Sequence, residues 1–125
     1  MIKTTVLQIL SAETILNKLA SGEFNGKQSF IIYKTLKAVN KEIEDFNEAR
    51  QKLIYKYAKK DENGELIVVD DSVSFNDEEA KIFQEEIQDL LTAEVEIIGN
   101  KIPVDWLEKI QLTPQEIFSI EAFIE

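Results

Sequence analysis

Carboxylates are the only abundant reactive side chains in this chain. It has 24 aspartates and glutamates against 14 lysines and arginines, with no histidine and no cysteine. The missing residues exclude cysteine–histidine and serine–histidine nucleophile pairs, thiol redox chemistry and nearly all structural zinc sites. Adjacent acids occur at Asp70-Asp71, Asp77-Glu78-Glu79 and Glu85-Glu86. Such groups can hold magnesium or divide acid and base work, and Asp70, Asp71 and Asp77 are the sharpest candidate set. Catalytic acids need a cleft that shifts their proton affinity. These acids fall on expected caps, turns and outward helix faces, and no basic or nucleophilic partner accompanies them. A solvated acidic face is therefore the reading. Asp61-Glu62-Asn63-Gly64 opens like a calcium loop but lacks its later ligands and its terminal glutamate, so it reads as a turn. The four glycines never cluster as a phosphate-binding loop does. The expectation is a protein without enzymatic activity, cofactor or metal.

Two other residues stand out by type and position. Arg50, the only arginine, falls at a slot in an apolar heptad seam. A guanidinium there needs a partner. The structural reading pairs it with Glu86 or Glu79 on a facing helix, where it sets register. The functional reading gives it an anion or a partner protein. Trp106 stands among Pro103, Val104 and Leu107, and reads as a core cap or as an exposed anchor.

The element that must position Arg50 is the stretch Lys27–Lys60, read as one amphipathic helix. Ile32, Leu36, Val39, Ile43, Phe46, Leu53 and Tyr57 repeat at steps of four, three, four, three, seven and four. Nothing small covers so long a rod alone. A second helix, Asn76–Thr92, begins with a capping-box pattern at Asn76 and Glu79, and repeats Ala80, Phe83, Ile87 and Leu90. It is expected to pack antiparallel on the C-terminal half of the rod. Phe30, Ile31 and Tyr33 in the N-terminal half form an apolar strip wherever the short helices leave them open.

Around this hairpin the other elements are short. Met1–Gln8 is rich in β-branched residues and reads as a strand. Ser11 reads as the N-cap of a short helix carrying Ile15, Leu16 and Leu19, which stops near Ser21-Gly22. Leu66–Val69 and Ser72–Phe75 around Asp70-Asp71 read as a hairpin or as one extended linker. Glu94–Ile98 alternates as a strand, with Ile110 and Leu112 expected beside it. Pro103 opens a helical turn through Trp106 and Leu107. Thr113-Pro114-Gln115-Glu116 is the clearest local signal, an N-cap, a first-turn proline and a capping-box glutamate, before a last helix through Ile124.

The fold class expected is mainly α with some β: a long helical hairpin, short flanking helices and a small sheet near the C-terminal third. Residues 1–125 form one domain, with a variable connector at 61–76. The formal net charge is −10. Residues 1–60 carry 11 positive and 6 negative side chains, and residues 61–98 carry one lysine against 13 acids. The two halves are expected to attract each other within the fold. So acidic a chain is repelled at long range by nucleic acid and by anionic membranes. No apolar run approaches the ~20 residues of a membrane span, and the start does not read as a signal peptide. A cytoplasmic protein is the expectation.

The chain resembles small, uncharacterised phage and prophage proteins in layout: short helix, long charged helix, variable linker, acidic helix, strand and final helix. The resemblance rests on Glu48-Ala49-Arg50-Gln51-Lys52-Leu53-Ile54 with Lys56-Tyr57, and on Ile110 through Glu116 with Ile117 through Ile124. It carries no catalytic or binding residues. It implies a phage or prophage setting, and hence host takeover or virion assembly in the host cytoplasm. The expected function is a non-enzymatic interaction protein that binds a host or phage protein, with a homodimer also open. An inhibitor or modulator of a host protein, such as a defence component, comes first. A virion assembly factor and an acidic mimic of DNA are the alternatives. Arg50, Trp106, Phe30, Ile31 and Tyr33 are the candidate interaction residues.

Overall fold

The computed structural model describes every residue, Met1–Glu125. In chain order it contains β1 (Ile2–Thr5), α1 (Val6–Ala20), α2 (Gly26–Tyr57), β2 (Val68–Val69), β3 (Ser72–Val73), α3 (Asp77–Thr92), β4 (Glu94–Ile97) and α4 (Pro114–Ser119). Two 3₁₀ turns, Val104–Lys109 and Glu121–Phe123, flank α4. The architecture is mainly α with some β, as the sequence indicates.

The centre of the molecule is α1. Val6, Ile9, Ala12, Leu16 and Leu19 recur at three- and four-residue steps and are all buried. Ile9, Ala12, Leu16 and Leu19 meet Ile2, Ile32, Val39, Ile97, Ile102, Leu107, Ile120 and Phe123 in one core. Residues from both ends of the chain therefore share one interior. Helix α1 begins earlier than its apolar face suggests. Thr5, not Ser11, is its N-cap: the Gln8 amide donates to Thr5 Oγ1 at 3.2 Å, and the Thr5 amide donates to Gln8 Oε1 at 3.0 Å. This capping box ends β1 and starts α1 within one residue. At its far end Gly22 lies so close to Phe24 and Ile110 that a Cβ would come within 2.8 Å and 2.9 Å of them.

Helix α2 has 32 residues, a rod of ~48 Å at ~1.5 Å per residue. Asn25 and Gln28 cap it reciprocally. Only Ile32, Thr35, Val39 and Ile54 along it are buried. Its N-terminal half packs on α1. Its C-terminal half forms a hairpin with α3: Ala58 bridges Phe75 where the chain turns, and the chain returns to lay Ile97 and Ile98 beside Ala38 and Phe30. The turn holds the β2–β3 hairpin, with Asp70 and Asp71 at φ 52° and 61° as its two central residues. Two positive φ values in succession define the tight turn whose twist suits a hairpin. Asp61 Oδ1 accepts from the Asn63 and Glu65 amides at 2.8 Å and 3.0 Å, closing the preceding turn on itself. At Asn76 the cap position is as expected, but its side chain makes no capping hydrogen bond.

The partner of β4 differs from expectation. Ile110 and Leu112 form no strand. Instead β1 pairs antiparallel with β4, Ile2 opposite Ile97 and Thr5 opposite Glu94. The residues after Pro103 wind as a 3₁₀ turn that ends at Ile110, so they run past the sheet. The last residues close the core from below: the Ile102 amide donates to the Phe123 carbonyl at 2.7 Å. At α4 the Thr113–Glu116 capping box forms as read, and Lys18 Nζ joins Glu116 Oε2 at 3.0 Å.

Removing a buried group at the centre tests this hierarchy. Leu16→Ala should cost about 2–5 kcal/mol in denaturant unfolding, because it empties space in the core, where Leu16 is fully buried. The Thr113 amide and then Lys18 hold the Glu116 carboxyl below the usual carboxylate range. A lowered value stabilises the fold above the unfolded group's titration and loses that effect as pH falls through the folded value. Glu116→Gln should therefore unfold more readily than wild type at neutral pH, and the two melting curves should converge under acid.

Candidate interaction surface

Arg50 does not meet a carboxylate. It is exposed, and the three ion pairs in the molecule are Lys3–Glu96, Lys18–Glu116 and Lys41–Asp45. The reason lies in α3, none of whose residues is fully buried. It covers the seam thinly, so the seam near Arg50 is open to water. A long cationic side chain there extends its head into solvent at no desolvation cost. Glu86, one of its expected partners, instead accepts a hydrogen bond from Tyr57 Oη at 2.9 Å. Only Lys3–Glu96 joins the basic first half to the acidic middle, so attraction between the halves has little direct expression in ion pairs.

Trp106 takes the structural role. It is half-buried against the core, with its ring centroid 6.2 Å from that of Phe24. The acids at Asp70, Asp71 and Asp77 stand exposed on the hairpin turn and at the start of α3. No three acids in the molecule lie close enough together to hold a metal ion. No helix is long and apolar enough to cross a membrane.

The apolar strip is the predicted feature that the structure leaves open. Phe30 is 62% exposed and Tyr33 51% exposed on the outer side of α2. Ile31 is half-buried, turned toward Gly99 and Asn100 at the end of β4. Ile98 adds to the strip at 71% exposure. Ile97 points into the core, so its neighbour points out, as the alternation of a strand requires. Phe30, Tyr33, Ala38 and Ile98 line a groove of about 550 Å³ between α2 and β4. A second groove, about 590 Å³, lies on the other side, against Ala20 and Phe24. Tyr33, Lys37 and Lys41 line both, so they form the ridge between them.

Lysines outnumber acids on this surface: Lys34, Lys37 and Lys41 line the groove with Glu42 and Glu96. From Lys27 to Lys41 the helix carries four lysines and no acid, although the chain as a whole is strongly acidic. Lys34 Nζ stands 5.5 Å from the Phe30 ring centroid. Lys41 Nζ hydrogen-bonds to Asp45 at 3.1 Å, and this contact holds its ammonium above its usual range. Farther along the same face Tyr55 is 57% exposed, and its hydroxyl donates to the Gly64 carbonyl at 3.3 Å. Sequence reasoning overlooked Ile98 and Tyr55. The strand alternation would have identified the first, and the second lies on the outward heptad of α2.

Aromatic and aliphatic groups beside lysines can bury apolar area against a partner and steer an acidic one toward it. No protein-family model, no curated protein and no solved structure matches this chain. Arg50→Ala is a control for the surface: it should change unfolding free energy by less than about 0.5 kcal/mol, since its guanidinium has no partner to lose.

Proposed function

We propose that this is a non-enzymatic interaction protein that binds another protein through the outer face of α2. The observation that carries the reading is the exposed cluster of Phe30, Tyr33 and Ile98 beside Lys34, Lys37 and Lys41. The cluster sits on a rigid helix whose opposite face is anchored in the core, so little ordering is needed on binding. The acids, by contrast, occupy caps, turns and solvated faces, an arrangement that supports no catalytic role. In the phage or prophage setting that the resemblance implies, the partner is a host protein that this one inhibits or modulates, in the host cytoplasm. Assembly of the virion is the second reading. It shares the same surface, and capsid or tail genes beside the coding sequence would favour it.

A pull-down from host lysate, with partners read by mass spectrometry, tests the proposal. Wild type should retain a defined partner. Tyr33→Glu should lose it while its circular dichroism and melting temperature stay near wild type, because the residue is half exposed and outside the core. Equal recovery with both proteins would remove the surface from the function. A hydrolase or nuclease activity that follows the purified protein and disappears with Asp70→Asn or Asp77→Asn would overturn the non-enzymatic reading.

A further inference from the structure

The outer ridge of α2 has a two-fold pattern. Phe30, Lys37, Lys41, Glu44, Glu48 and Tyr55 follow one another at steps of seven, four, three, four and seven, the same from either end. All six are exposed. At ~3.6 residues per turn they lie within about 60° of one another around the helix, a single strip some 37 Å long. The midpoint falls between Glu42 and Ile43. Reflection through it exchanges Phe30 with Tyr55, Lys37 with Glu48, and Lys41 with Glu44. Every exchange matches an aromatic ring with an aromatic ring or an ammonium with a carboxylate.

A closed symmetric dimer has this requirement: if one residue meets a second across the interface, the second must meet the first. We infer that the outer face of α2 pairs antiparallel with the same face of a second copy of this chain, centred between Glu42 and Ile43. The inference rests on the reading of this face as an interaction surface and names what covers it when no other partner is bound. Parallel pairing and the antiparallel heptad slides place like charges together. Parallel pairing sets Lys37 and Glu44 against their own copies. An antiparallel slide of one heptad, about two turns, in either direction sets Lys37 against Lys41 or Glu44 against Glu48, and any slide separates Phe30 from Tyr55. Like charges facing across helices select against those registers.

The surroundings fit the pairing. The grooves on both sides of the Tyr33–Lys37–Lys41 ridge are open to receive side chains of a second helix. Tyr55 of the second copy falls beside Phe30 and Ile98, at the apolar end of one groove. The Tyr55 ring is already held, by its hydroxyl on the Gly64 carbonyl and by Lys60 Nζ 4.9 Å from its centroid. Lys41, paired within its own helix to Asp45, gains a second carboxylate from Glu44 of the other copy. The interface is thus apolar at its two ends and ionic in its middle. The rings contribute burial, and the charges set direction and register.

The test is sedimentation equilibrium of the full chain over a wide micromolar range, with circular dichroism as the check on folding. Wild type should dimerise and dissociate on dilution. Lys37→Glu and Glu48→Lys should each weaken the dimer by about tenfold or more, since each sets like charges together twice across the two-fold axis. The double variant carrying both should dimerise again, because each copy then offers the exchanged charge to the other. Phe30→Ala should weaken the dimer without changing the helical signal. A wild type that is monomeric at several hundred micromolar overturns the inference, and so does a dimer indifferent to the single reversals or not restored by the double one. A monomer that still retains a lysate partner through Tyr33 would overturn the dimer alone and leave the proposed function standing. A dimer that captures nothing would do the reverse.

Discussion

Burial of α1 is the constraint from which the rest of the structure follows. A 15-residue helix with Ile9, Ala12, Leu16 and Leu19 essentially out of solvent must be enclosed on most sides. No single element in so short a chain can do that. Helices α2, α3 and α4 and strand β1 each touch it. The small alanine at position 12 lets a neighbour approach closely, and the larger aliphatic residues fill the spaces above and below it. Both chain ends are drawn in for the same reason. Ile2 enters at one end, and Ile120 and Phe123 enter at the other.

Once α1 occupies the centre, α2 can contribute only one narrow strip to the core. Its length exceeds what that core can cover. Ile32, Thr35 and Val39 are enclosed, but past Ile43 the cover comes mainly from α3, which has no fully buried residue of its own. The hairpin arm is held by looser contacts: the stacked rings of Phe75 and Phe83, 4.7 Å apart, the Tyr57–Glu86 hydrogen bond, and the bridge between Ala58 and Phe75. Arg50 stands in this thinly covered region, which is why a residue placed in an apolar seam ends in water. On the outer face of the same helix, Phe30, Lys37, Lys41, Glu44, Glu48 and Tyr55 all stay exposed.

Charge contributes little to holding the fold together. Three ion pairs serve a chain with 38 charged side chains, and one of them lies within a single turn of α2. Exposed pairs of this kind add little stability. The lysines of the N-terminal half of α2, and the carboxylates that follow them, are therefore free to act outward. Along one strip Lys37 and Lys41 are followed by Glu44 and Glu48, and none of the four pairs with another element of the fold.

The sequence by itself determined what depends on a few neighbouring residues. The extent of α2 and α3, the stop at Ser21-Gly22 and the Thr113–Glu116 cap are all written in short-range hydrogen bonding and periodicity, whereas the Asp70-Asp71 segment reads equally as a hairpin or an extended linker until the fold closes it. The Thr5–Gln8 box was written there too, but a run of β-branched residues before it obscured it. Tertiary structure alone decided which apolar stripe became the centre, and it chose α1 over the longer and more regular α2. It also decided that β4 would pair with β1 and not with Ile110 and Leu112. A four-residue strand carries no pattern specific enough to name its partner, and the pairing follows from where α1 delivers the chain. Whether Arg50 or Trp106 was buried depended likewise on how closely a distant segment came, and no local signal in the chain encodes that distance.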